Sequence, residues 1–184
     1  AKKDPFQFRR ELMGEHPRFR AAIERVAAMA DWGAPLPKGQ GRGIAITECF
    51  GSIVAEVARV TVDNGTLKVN ELFAAVDCGE VVNPDTARAQ VEGGMMFGLA
   101  AAWLGAITIR DGRVAESNFH DFRTLTLADA PIVHVDFMAS TATPGGLGEP
   151  AVPAVAAAVA NAIFVATGVR LRQFPFSKTS LAWS

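Results

Sequence analysis

Apolar residues recur at helical spacing near the N-terminus, alternate with polar ones through the middle of the chain, and return later in two long stretches that are apolar nearly all round. Asp4-Pro5-Phe6-Gln7-Phe8-Arg9-Arg10-Glu11-Leu12 offers a cap, a first-turn proline and helical periodicity. A second helix is predicted from Pro17 to about Trp32, with Phe19, Ile23, Val26 and Ala30 on one face. Between Gly43 and Asp63 the residues Ile44, Ile46, Ile53, Val54, Val57, Val60 and Val62 describe one or two strands, and Asp63-Asn64-Gly65-Thr66 is a strong hairpin turn into Leu67 to Asp77. Together these predict an antiparallel meander. Asn83-Pro84-Asp85 starts a helix to about Trp103, Arg110-Asp111-Gly112-Arg113 makes another hairpin, and a strand is expected from Ile132 to Ala139. A last apolar helix runs from about Ala151 to Thr167. The mixture argues an α+β fold: a mixed, largely antiparallel sheet with two long buried helices and an N-terminal helical arm. The arm is expected over residues 1–35 and the body over residues 36–184.

With 184 residues and 49% hydrophobic content the chain can bury a real core, so general disorder is excluded. Its 18 basic and 19 acidic residues leave a net charge of -1, which provides no field for nucleic acid or an anionic membrane. No hydrophobic run approaches the roughly 18 residues of a membrane span. The opening Ala1-Lys2-Lys3-Asp4-Pro5, without methionine or signal peptide, reads as a fragment or a processed subunit. Cys49 and Cys78 stand 29 residues apart with no Cys-x-x-Cys and no nearby histidine pair, so no metal site is specified and two buried free thiols are expected.

Candidate chemistry lies in Pro144-Gly145-Gly146-Leu147-Gly148-Glu149-Pro150-Ala151-Val152-Pro153, which sets one carboxylate between a glycine-rich loop and an apolar helix. The glycines permit positive φ and close approach to a ligand, and the prolines suit a first helical turn. Glu149 is therefore expected to point into a pocket. The competing reading is a simple helix cap, favoured by the helix dipole at roughly 0.3 to 1 kcal/mol. Gln90-Val91-Glu92-Gly93-Gly94-Met95-Met96-Phe97-Gly98 is locally odd as a helix, since each interior glycine costs about 1 kcal/mol relative to alanine. Either the helix packs closely there, or a ligand lies against it and Gln90 hydrogen-bonds it. Gly39-Gln40-Gly41-Arg42-Gly43 resembles a phosphate loop but follows a helix and precedes a strand, the reverse of the required order. His16, His120 and His134 are isolated and read as structural or exposed. His120-Asp121 near Asn118 is a weaker candidate for a substrate channel.

Several of these motifs occur together and in register: Val76-Asp77-Cys78-Gly79 with Val82-Asn83-Pro84-Asp85, then Gln90-Val91-Glu92-Gly93-Gly94, then Gly146-Leu147-Gly148-Glu149-Pro150, and finally Ala160-Asn161-Ala162-Ile163-Phe164 with Thr167-Gly168. In this order the chain resembles the C-terminal part of the molybdopterin-binding large subunit of the xanthine oxidase family. It is most similar to the branch of bacterial isoquinoline 1-oxidoreductase beta subunits and related aldehyde dehydrogenases, where Arg42-Gly43-Ile44-Ala45 and Ser117-Asn118-Phe119-His120-Asp121 also fit.

The resemblance implies a molybdenum hydroxylase that oxidises an aldehyde or an N-heteroaromatic substrate with water as oxygen source. It implies Glu149 as the active-site general base, and Gln90 and Gly148 as residues against a molybdopterin cofactor, in bacterial relatives often the cytosine dinucleotide. The cofactor brings its own sulfur ligands, so no protein side chain is expected to ligate the metal. The expected partners are the remainder of the large subunit and a 2Fe-2S small subunit that carries the iron-sulfur relay, so the fragment alone is expected to be inactive. Cys78, in the Asp-Cys-Gly turn beside the expected cofactor, reads as a buried spectator. The alternative function is a non-catalytic scaffold or interaction domain derived from this family.

Overall fold

The computed structural model describes residues 2–181. Helices α1 (Pro5–Leu12) and α2 (Pro17–Met29) precede three long strands, β1 (Gln40–Cys49), β2 (Ser52–Asp63) and β3 (Thr66–Asp77). There follow α3 (Pro84–Trp103), a short ladder of β4 (Ile109–Arg110) and β5 (Arg113–Val114), then β6 (Ile132–Phe137) and α4 (Pro153–Thr167). A 3-10 turn, Phe176–Lys178, lies near the C-terminus.

Local chemistry explains where elements begin and turn. The Asp4 carboxylate accepts from the amides of Phe6 and Gln7 at the head of α1, and the Asn83 side chain accepts from the Thr86 amide at the head of α3. Asn64-Gly65 and Asp111-Gly112 both take positive φ, the geometry of tight hairpin turns, as their sequences predict. The boundary between β1 and β2 is a third such turn, made by Phe50 and Gly51 at φ of 52° and 79°.

The sheet order is β1-β2-β3-β6, and the first three strands form the expected antiparallel meander. Strand β6 joins β3 in parallel, with α3 in the connection, so the sheet is mixed as expected. Two helical layers cover it. On one face Ile23, Val26 and Ala30, from and just after α2, pack against Ile44, Ile53, Val57 and Phe73. On the other face α3 and α4 bury Val91, Met95, Leu99, Val155, Val159 and Ile163 against Val54, Leu72, Ala74 and Val76. Strand β2 is thus buried on both sides, which is why it reads as a near-continuous apolar run.

One carboxyl interrupts that run. Glu56 is fully buried, pairs in register with Ala45 and Ala74, and shares the α4 face with Val54 and Ala58. Neither of its carboxyl oxygens has a hydrogen-bond partner among the described residues, and burial pushes the group well above the ordinary carboxylate range.

The glycines at 41 and 43 serve packing. A β-carbon at Gly41 would fall on the Ala162 carbonyl oxygen, and one at Gly43 on the Ala158 carbonyl oxygen, so α4 lies directly on the β1 backbone. The likeness of this segment to a phosphate loop is therefore explained by helix-on-strand contact.

Candidate active site

The loop from 144 to 152 is held at Gly145 and Gly146 to the ends of β2 and β3 and the β1–β2 turn. Gly145 donates its amide to the Cys78 carbonyl at 2.8 Å, Gly146 to the Phe50 carbonyl at 2.9 Å, and the Ser52 hydroxyl donates to the Gly146 carbonyl at 2.6 Å. A β-carbon on Gly145 would lie 2.5 Å from Ser52 Oγ, and one on Gly146 would lie 2.8 Å from Phe50 Cβ. These two glycines are thus required by the β1–β2 turn beneath them. The expectation of positive φ in this loop is corrected: the left-handed glycines are elsewhere, at 39, 51, 65, 79, 112 and 168. Gly148 differs from its neighbours, with open space where a β-carbon would stand.

Beyond Gly148 the chain turns once before α4 begins, with the Val152 amide donating to the Glu149 carbonyl at 2.9 Å. The helix therefore starts at Pro153, two residues later than expected, and the residue at its cap position is Val152 rather than Glu149. Its N-cap, Val152, has no side-chain capping bond.

Gln90, on α3, is 58 positions from Gly148 in sequence, and its Nε2 donates to the Gly148 carbonyl at 2.9 Å. Gln90, Gly148 and Glu149 line one cavity of about 430 Å³, together with Cys49, Gly93, Gly94 and Phe97. The three glycines of α3 divide between two roles. A β-carbon on Gly98 would lie 2.5 Å from the Val152 carbonyl oxygen, so close packing requires it, whereas Gly93 meets nothing within 4 Å and opens onto the cavity. The packing reading holds at Gly98, while Gly93 leaves open space beside Gln90. Glu149 lines the cavity from its edge, where it is exposed.

One cysteine departs from the expectation of two buried thiols. Cys78 is buried, and burial raises its thiol pKa with a smaller contribution from Asp77, while its backbone carbonyl holds the loop. Cys49 is only half-buried and lines the cavity. Sequence reasoning missed Cys49, and also Phe50 and Ser52, because the signal was a tight turn centred on Phe50-Gly51 rather than on an Asn-Gly pair. Beside Cys78, Asp77 is held below the usual carboxylate range first by its hydrogen bonds from Arg18, at 2.7 and 3.0 Å.

None of the three histidines lines this cavity. His134 stacks on Phe73 with centroids 4.6 Å apart and meets Glu71 at 3.2 Å, and His16 packs edge-on to Phe19. His120 is exposed next to Asp121, whose carboxylate accepts from the Ser117 and Asn118 amides and so organises a local turn. No group of three or more His, Cys, Asp or Glu suited to a metal ion occurs among the described residues. What the cavity offers is bare backbone at Gly93 and Gly148 beside a side-chain amide, a surface against which a flat ligand can lie.

Residues 17–131 match the family described as the molybdopterin cofactor-binding domain. The chain belongs to that family. Its curated relatives include a membrane-bound aldehyde dehydrogenase [pyrroloquinoline-quinone] of Gluconacetobacter polyoxogenes, 36% identical over 95% of this chain and 25% of the relative. Another is isoquinoline 1-oxidoreductase subunit beta of Brevundimonas diminuta, 33% identical over 94% of this chain and 23% of the relative. Among solved structures, quinoline 2-oxidoreductase from Pseudomonas putida 86 shares the fold, with a TM-score of 0.63 over 67% of this chain and 17% of that one, at 24% identity. These similarities place the chain among molybdopterin-binding large subunits of the xanthine oxidase type. The chain spans about a quarter of the length of the curated relatives it matches. No helix among the described residues is long and apolar enough to cross a membrane.

Proposed function

We propose that this chain forms one wall of the active site of a molybdenum hydroxylase acting on an aldehyde or an N-heteroaromatic substrate. The observation that carries the reading is the convergence of the Gln90 amide, the Gly148 backbone and the Glu149 carboxylate on one cavity from segments 58 positions apart. The relatives' names support the substrate class, since they specify an aldehyde and isoquinoline.

When bound, a molybdenum pterin supplies two-electron oxidation with water as the source of oxygen. Gln90 and Gly148 contact it: the amide has one oxygen and one remaining N–H to offer, and the absence of side chains at Gly93 and Gly148 allows close approach. Glu149 is the general base that accepts the proton lost by the water-derived nucleophile, a role that requires the rest of the large subunit to exclude solvent around it. A 2Fe-2S partner subunit removes the electrons, and the cofactor is the cytosine dinucleotide form. One relative is named for a quinone cofactor instead, so cofactor identity is a direct test.

In the complete enzyme, Glu149→Gln is expected to lower turnover by roughly 10²- to 10⁴-fold at unchanged molybdenum content. Normal turnover in that variant refutes the general base. Metal and pterin analysis of the complete native protein is expected to find near-stoichiometric molybdenum. The exposure of Glu149 in this chain favours a second reading, a non-catalytic scaffold, and well-folded protein free of molybdenum and pterin after expression in a cofactor-producing host would select it.

A further inference from the structure

Two cavities meet at one side chain. Phe97 lines both the Gln90 and Glu149 cavity and a second one of about 300 Å³. The second is walled by Ala100, Ala101, Ala106, Ile107 and Phe122, with Arg123 and Thr124 as its polar lining. Phe97 itself is 71% exposed although it stands between two concave surfaces.

Helical spacing connects the two. Gly93 and Gly94 stand three and four positions beyond Gln90, Phe97 three beyond Gly94, and Ala100 and Ala101 three and four beyond Phe97, so they run along one side of α3. At 1.5 Å per residue, Phe97 lies about 10 Å beyond Gln90 along the axis and Ala101 about 16 Å beyond it. On either side of Phe97 the positions are glycine or alanine, which leaves a track of free space along the helix, interrupted by a single aromatic ring. A molecule with its reacting end at Glu149 has apolar room for a ring or a short alkyl chain farther along this track.

We propose that the cavity at Ala101 is the subsite for the apolar end of the substrate, and that Phe97 sorts substrates by the length and bulk of that end. This rests on the reading that the substrate reacts beside Glu149. The substrate class is then an aldehyde or N-heteroaromatic that carries an apolar extension, in preference to its smallest analogues. The lining supports it physically: each methylene moved from water into such a site improves binding by about fourfold.

The test uses the complete purified enzyme and two unreactive neutral probes, octanamide and acetamide, with binding measured by calorimetry. Ala101 is exposed, so Ala101→Trp fills the cavity without entering the core. The parent is expected to prefer octanamide, and Ala101→Trp to weaken octanamide by tenfold or more while changing acetamide by less than twofold. The kcat/KM ratio of octanal to acetaldehyde falls in parallel, through KM. Phe97→Ala is expected to raise the same ratio for a bulkier substrate such as 2-naphthaldehyde. No preference for octanamide in the parent, or an unchanged octanamide affinity in Ala101→Trp together with unchanged selectivity in Phe97→Ala, overturns the subsite. Because probe binding needs no turnover, a loss of octanamide binding in Ala101→Trp upholds the subsite even where Glu149→Gln retains full activity and the general-base reading falls.

Discussion

At the scale of single residues, Glu56 and the glycines make opposite demands on the core. Burial raises the Glu56 carboxyl well above the ordinary glutamate range in the folded state, while in the unfolded chain it ionises near that range. Its contribution to stability is therefore present below the unfolded value and is lost as pH rises towards the folded value. No charged group on β1, β3 or α4 offsets this, and desolvation alone accounts for the shift. Thermal melts of the parent are expected to fall from this source as pH rises above the ordinary glutamate range, and Glu56→Gln to flatten that slope. A slope unchanged in the variant would show that Glu56 is ionised and partnered. Gly43 and Gly93 give a sharper contrast. Gly43→Ala drives a methyl into the α4 backbone and is expected to cost roughly 1–3 kcal/mol or more, read by denaturant unfolding. Gly93→Ala meets nothing and gains helix propensity, so it is expected to stabilise the fold by up to about 1 kcal/mol. The same methyl intrudes on the Gln90 cavity, so the proposed function predicts a more stable protein with less bound molybdenum.

At the scale of elements, α3 connects stability and site. Its N-terminus is fixed by the Asn83 side chain on the Thr86 amide at 3.0 Å, and Gln90 follows two turns later. Asn83→Ala is expected to cost about 1 kcal/mol, measured by chemical denaturation, with the cavity retained because Gly98 still seats the helix on Val152. Helix α4 relies less on capping than on position: it lies on bare strand at Gly41 and Gly43, and ends at Gly168 in the left-handed conformation. The elements themselves were legible in sequence, because helical and alternating periodicities differ and Asn64-Gly65 can hardly be anything but a turn. The later start of α4 was not, since Pro150 and Pro153 are equally good first-turn residues and only the packing of Val152 against Gly98 selects one.

At the scale of the whole molecule, apolar side chains remain uncovered along one stretch. Ile109, Val114, Phe119 and Leu127 are all exposed, the last two at 84% and 93%. Relatives four times longer have ample chain to cover them. The isolated chain is accordingly expected to self-associate with rising concentration, as seen by size-exclusion chromatography with light scattering. A clean monomer over a wide concentration range would contradict this.

The sequence by itself determined the α+β class, the helices and the hairpins, because each is announced by short-range pattern, periodicity or turn chemistry; it offered Gln90, Gly148 and Glu149 as candidates, and the structure brings these to one cavity. Only the tertiary structure decided that Gly41, Gly43, Gly145 and Gly146 serve packing while Gly93 and Gly148 stay open, since a glycine's purpose depends on which backbone stands opposite it. The same is true of Cys49 lining the cavity wall, of Glu56 lying unpartnered under α4, and of Phe97 joining two cavities. Each of these depends on contacts between segments distant in sequence, which periodicity does not encode.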